Sequence, residues 1–163
     1  MSSPRPDVIR REPPSFRRVE VVRAEHRNPH LIRVTLVGEL AEGFDPCPPA
    51  ASCRLLLPQP DGSVELPTWN GNEFLRADGG RARIRTLTPV RYDAAATELD
   101  VEVVVHDGSP LSRWAETAGP GTSAAVSGPG AGYEFDPAAT AFVLAGDESA
   151  VPAISTLLRV LPD

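Results

Sequence analysis

A chain of 163 residues, 41% hydrophobic and 23% charged, can bury its own core and needs no disulfide or metal to hold it. The net charge of −6 divides into about +4 over residues 1–33 and −10 over the rest. That acidic remainder argues against a nucleic-acid binder, whose affinity comes mostly from neutralising phosphates. Eighteen prolines and thirteen glycines interrupt the chain too often for long helices and favour short strands.

Residues 1–14, with four prolines and five charged residues, have no apolar run that could act as a signal peptide, and nothing later is long and apolar enough to span a membrane. A flexible tail over 1–15 and a cytoplasmic protein without membrane contact are expected. From Phe16 to Ala24 the pattern alternates like a strand, its arginines forming a solvated face around Val19, Val21 and Val22. Leu31 to Val37 alternates too, and Ile32, Val34 and Leu36 are the expected core face. Gly38 to Ala51 reads as a loop, Cys53 to Leu57 as a short apolar strand stopped by Pro58, and Val64 to Leu66 as another strand after the Pro60-Asp61-Gly62-Ser63 turn. Cys47 and Cys53 fit neither a zinc spacing nor a disulfide framework, so no metal site is expected.

Ala82 to Tyr92 predicts a strand bent at Pro89. Glu98 to His106 is the clearest strand, with Leu99, Val101, Val103 and Val105 on one face and Asp100, Glu102, Val104 and His106 on the other; together they predict a hairpin. Ser109 as cap, Pro110 at the first helical position and Gly119-Pro120 as terminator define one short helix. Thr122 to Ser127 is the last barrel strand. Six or so short antiparallel strands with a single helix suggest a small barrel, since closure removes sheet edges. Ala141 to Ala145 then reads as an apolar strand and Ala150 to Leu161 as a helix, a first β-α unit of the kind that opens a doubly wound domain.

The residues suited to chemistry cluster in two stretches. Arg85 sits on a strand, where its planar fork can grip a phosphate in two places. Ser109-Pro110 opens a helix whose free backbone N–H groups can meet the same phosphates. Between them, Leu87, Thr88, Val104 and His106 can form a platform for a flat ring, with Thr88 giving one hydrogen bond at its edge.

Here the sequence resembles a known family. Arg85-Thr86-Leu87-Thr88 looks like the Arg-x-Tyr-Ser/Thr flavin motif of ferredoxin-reductase-like barrels. His106-Asp107-Gly108-Ser109-Pro110-Leu111-Ser112-Arg113-Trp114 is similar to the His-x-x-Gly-Pro-x-x-x-Trp segment of siderophore-interacting proteins, with Ser109 inserted between its Gly and Pro. Ser127-Gly128-Pro129-Gly130 resembles the post-barrel turn, and Ala145 to Ile154 the segment that opens the family's nicotinamide-binding domain. The resemblance implies a mainly β fold: a six-stranded antiparallel flavin-binding barrel of the ferredoxin reductase or riboflavin synthase type over 16–137. It implies the start of an incomplete NAD(P)H-binding α/β domain over 138–163. It further implies FAD as cofactor, NADPH or NADH as electron donor, and a ferric siderophore as substrate. By analogy Arg85 holds the pyrophosphate, Thr88 bonds near the reactive flavin nitrogen, and His106 lines the ring; Thr88 and His106 are the candidate catalytic residues. Thr86, Leu87, Val104, Ser109, Pro110, Leu111 and Ser112 complete the expected cofactor site. Leu87 departs from the motif's tyrosine and lacks its ring–ring contribution of roughly 0.5–1.5 kcal/mol, which implies weaker flavin retention.

Two rival readings differ in class. A barrel that binds flavin, or nothing, without turnover is separated from the enzyme by flavin content and NADPH oxidation. An oligonucleotide-binding barrel would need basic and aromatic residues alternating on one face, and aromatics are only 6%.

Overall fold

The computed structural model describes residues 13–40, 43–44 and 47–161. Most of the expected N-terminal tail therefore lies outside the described residues. The strands are β1 (Phe16–Asn28), β2 (Leu31–Gly38), β3 (Cys53–Leu56), β4 (Thr68–Trp69), β5 (Phe74–Leu75), β6 (Ile84–Leu87), β7 (Pro89–Asp93), β8 (Glu98–Val104) and β9 (Ser123–Ser127). Two helices, α1 (Pro110–Thr117) and α2 (Val151–Leu158), follow β8 and β9, and a 3-10 turn over Glu148–Ala150 leads into α2. Seven strands form one antiparallel sheet in the order β6-β3-β9-β1-β2-β8-β7. Its two edges, β6 and β7, are consecutive in sequence and separated by Thr88 alone. They are the halves of the bent strand expected over Ala82 to Tyr92, so the sheet curls into the expected barrel-like form. Counting that strand once gives the six expected.

β1 makes the curling possible. Its first residues pair with β9 and its remainder with β2, with register shifts between Val21 and Arg23 and between His26 and Asn28. Such bulges bend a strand and increase its twist. At the end of β2, Gly38 has φ +145°, and a Cβ there would stand 2.5 Å from the carbonyl oxygen of Arg18, so only glycine fits against β1.

The core follows the period-two pattern. Ile32, Val34 and Leu36 of β2 face Leu99, Val101 and Val103 of β8, and all six are buried. Leu40 and Phe44 join them from the loop after β2, and Trp114 and Ala115 from α1. Each fully buried side chain of this kind contributes roughly 1.5–3 kcal/mol. Cys53 is buried in the same cluster, and that burial pushes its thiol up to about 12.

Two expectations are corrected. Val64 to Leu66 is not a strand: the carbonyl of Val64 accepts from the Arg18 side chain at 2.8 Å instead of from a ladder, and prolines at 58, 60 and 67 crowd the segment. Nearby, Thr68–Trp69 pairs with Phe74–Leu75 as a small hairpin that periodicity could not announce. Ala141 to Ala145 has no ladder partner among the described residues and is not a strand; Val143 is 92% exposed. An extended segment without a neighbour leaves its apolar face to water. α2, by contrast, rests on the barrel, where Arg159 donates to the carbonyl of Val90 and Thr156 accepts from the amide of Ala50, each at 2.8 Å.

Candidate functional site

A cleft of about 700 Å3 opens where the β6–β7 corner, β8, α1 and the 3-10 turn meet. The corner supplies Thr86, Leu87 and Thr88, and β8 with its continuation supplies Glu102, Val104, Val105 and His106. Glu102 and Val104 lie on the opposite face of β8 from Val101 and Val103, since successive side chains alternate. The same alternation that builds the core therefore builds the cleft wall. Leu111 closes one side from α1, and Asp147, Glu148, Ser149 and Pro152 close another; Ser52 and His30 complete the rim.

The chain between β8 and α1 is fixed tightly. Gly108, at φ +76°, makes the turn that a side chain would disfavour. Ser109 caps α1, its hydroxyl accepting from the amide of Ser112 at 3.3 Å, and its carbonyl accepts from Arg113. Pro110 has no N–H, so the first-turn donor left over is the amide of Leu111, at the cleft wall. The buried hydroxyl of Ser112 accepts from the amide of His106 at 3.0 Å, tying the end of β8 to the helix.

Charge is distributed unevenly around the cleft. Glu102 is paired with Arg33 at 2.8 Å. The hydroxyl and then the amide of Ser149 hold the carboxyl of Asp147 below the usual carboxylate range, which fixes the 3-10 turn. Arg85, exposed on β6, donates to the carbonyl of its neighbour Ile84 at 2.8 Å and has no carboxylate partner among the described residues. In β-sheet register Arg85 and Leu87 stand opposite Leu55 and Cys53 and so share a face.

Of the ten residues expected at the site, six line the cleft: Thr86, Leu87, Thr88, Val104, His106 and Leu111. Arg85 is on the strand that forms the corner, Ser109 caps the adjoining helix, Pro110 borders a second recess, and Ser112 lies buried beneath. Trp114 is a core residue. The sequence reading missed His30, Ser52, Glu102 and Ser149. The Gly146 to Ser149 turn was legible, but its docking against β8 was not, because that depends on packing far apart in sequence. An apolar wall of Leu87, Val104 and Leu111, polar groups at its edges, a helix start at its side and Arg85 on the strand that forms the corner suit the ring and phosphates of a flavin.

These features define a flavin-site barrel of the reductase type. Residues 20–133 match the family of the siderophore-interacting FAD-binding domain, and the chain belongs to that family. It is 34% identical over 148 residues to the ferric vibriobactin reductase ViuB of Vibrio cholerae, covering 90% of this chain and 54% of that protein. The NADPH-dependent ferric-chelate reductase of Escherichia coli is also 34% identical, over 147 residues, with 90% and 57% covered. The crystal structure of the siderophore-interacting protein SipS from Aeromonas hydrophila superposes with a TM-score of 0.70 at 30% identity, covering 93% of this chain and 59% of that one. The chain thus spans a little over half the length of these relatives. Among the described residues no helix is long and apolar enough to cross a membrane.

Proposed function

We propose that this chain is the flavin-binding part of a cytoplasmic NAD(P)H-dependent ferric-siderophore reductase. The observation that carries the reading is the cleft at the β6–β7 corner, lined by Leu111 from the start of α1, with Arg85, which has no carboxylate partner among the described residues, on the strand that forms the corner. Its relatives by name are a ferric vibriobactin reductase and a ferric-chelate reductase. In this reading Arg85 and the amide of Leu111 hold the pyrophosphate by charge-assisted hydrogen bonds. Leu87 and Val104 supply the apolar contact for the ring, and Thr88 hydrogen-bonds its edge. His106, held at its backbone by Ser112, lines the ring, while Ser109 sets the direction of the helix start. Residues 16–137 form the flavin domain and 138–163 open the nicotinamide-binding one.

Bound FAD supplies the chemistry of taking two electrons from a reduced nicotinamide and passing them singly to two ferric ions. The protein supplies position, electrostatics and exclusion of water. Fe(II) suits the hard oxygen ligands of a siderophore poorly, so reduction favours release of the iron.

A second reading is a module that holds flavin without turnover. It is favoured by Ala141 to Ala145, which has no ladder partner, so that no nucleotide-binding sheet is formed among the described residues. One experiment separates the two. The purified protein is incubated with FAD, freed of excess, reduced anaerobically with dithionite as electron donor, and mixed with a ferric siderophore. The reductase reading expects a retained flavin spectrum that bleaches with the donor and returns on adding the iron complex. A retained flavin that bleaches but does not return on adding the iron complex supports the non-catalytic module, and no retained flavin overturns both.

A further inference from the structure

The face of β8 turned away from the core carries two buried carboxylates, Asp100 and Glu102, and they are bonded differently. Asp100 is saturated: its Oδ1 accepts from the hydroxyl of Thr35 at 2.6 Å and its Oδ2 from Nε of Arg91 at 3.1 Å. Glu102 is half used. Arg33 places both of its bonds on Oε1, at 3.2 Å from Nε and 2.8 Å from a terminal nitrogen. The other oxygen, Oε2, accepts from no described residue, and it is not sealed from solvent. The side chain is only 7% exposed, and the space it lines is the ring cleft. Buried polar groups almost always find partners, so an unclaimed carboxylate oxygen on a cleft wall points to a ligand there.

Glu102 stands close to the residues given to the ring. Val104 follows on the same face, about 7 Å along the strand, and Leu87 and Thr88 line the same cleft. The other titratable groups around it, His30, His106, Asp147 and Glu148, are exposed, so water and salt screen them. Glu102 is the buried charge on the wall, and its field reaches the cleft less diminished. Arg33 offsets part of that field from across the ladder on β2. It does so from the side of Oε1, so the pair presents its negative end to the cleft.

We propose that Glu102 tunes the flavin: its carboxylate lowers the reduction potential of the ring held in this cleft. This role rests on the flavin reading of the cleft and goes beyond it by fixing how strong a reductant the chain makes. Two electrons and one proton taken up by the ring leave it with one added negative charge. A fixed carboxylate beside the ring disfavours that charge and changes the neutral oxidised ring little, so the reduced flavin becomes the stronger donor. Such a donor suits a ferric ion in a siderophore, whose hard oxygen ligands hold Fe(III) in preference to Fe(II).

The test is a spectroscopic redox titration, at about pH 8 where carboxylates are ionised, of FAD bound to the chain and to three variants. Glu102→Gln keeps the shape and an acceptor for Arg33, and circular dichroism melts check that each variant folds. Glu102→Gln should raise the midpoint potential by about 30 mV, a tenfold rise in affinity for reduced over oxidised flavin in a two-electron couple. Glu102→Asp keeps the charge and should hold that affinity ratio within about threefold of the unaltered chain. Arg33→Gln bares the carboxylate and should move the potential the opposite way, downward. A retained flavin whose potential ignores Glu102→Gln, equal rises in the Gln and Asp variants, or a rise in Arg33→Gln overturns the tuning role and leaves the ring cleft intact. A chain that retains no flavin overturns the flavin reading and the tuning role with it.

Discussion

The two arginine-bearing sides of the barrel treat their charge in opposite ways. Along β1, β2 and β7, three arginines are paired with carboxylates. Arg33 pairs with Glu102 directly across the ladder, Arg23 with Glu98, and Arg91 with Asp93, Glu98 and Asp100. On the β6–α1 side, Arg83, Arg85 and Arg113 have no carboxylate partner among the described residues. The first group serves the fold; within it Arg91 bonds Asp100, a carboxylate that is itself buried and also accepts from Thr35 at 2.6 Å. The second group leaves its field open to a ligand. An acidic chain can thus present a local anion site, and net charge alone conceals it.

If the division is right, substitutions in the laced side cost stability and those in the open side cost binding. The largest effect on the fold comes from beneath the laced side: Leu99→Ala removes a fully buried side chain and should lower stability by about 2–5 kcal/mol in urea unfolding. Asp100→Asn is next, since it strips the charge that Arg91 and Thr35 share, and a loss of about 1–3 kcal/mol is expected with FAD affinity unchanged. At the open corner Leu87→Tyr should do the reverse, tightening FAD by roughly 0.5–1.5 kcal/mol with little change in the unfolding midpoint. Unaltered affinity would remove the ring-stacking role given to this position.

Acid should distinguish the sides most gently. The Arg23 guanidinium lowers the pKa of Glu98, and the Ala96 amide followed by Arg91 lowers that of Asp93. Carboxyls depressed in the folded state stabilise it above their unfolded values and lose that contribution as pH falls through the folded ones. Urea midpoints should therefore hold at neutral pH and fall below about pH 4. The fall should be smaller in high salt, because these pairs are partly exposed.

Much of this arrangement was legible in the chain. The alternation in Leu31 to Val37 and Glu98 to His106 identified both the core face and, by elimination, the wall carrying Val104 and His106. Ser109 and Pro110 announced α1, and Pro89 announced the bend that brings β6 and β7 to opposite edges of the sheet. What escaped was set by contacts between distant segments. The β4–β5 hairpin has two residues a side, and it is held by Trp69 and Phe74 rings 5.0 Å apart and by the Asn70 side chain accepting from the amides of Asn72 and Glu73. No period could reveal it. Ala141 to Ala145 had the composition of a strand, but composition cannot supply the neighbour a strand needs. Ser149 and Glu148 reach the cleft only because α2 docks on β7.

The central claim is that the open arginine side is a flavin phosphate site, and the most direct measurement is the dissociation constant for FAD of the unaltered chain and of Arg85→Ala, alongside their unfolding midpoints. The account predicts a loss of affinity of about tenfold or more, the worth of a charge-assisted hydrogen bond, with stability within about 0.5 kcal/mol. An Arg85→Ala chain that binds FAD as tightly as the original, or that loses stability and affinity together, would contradict it.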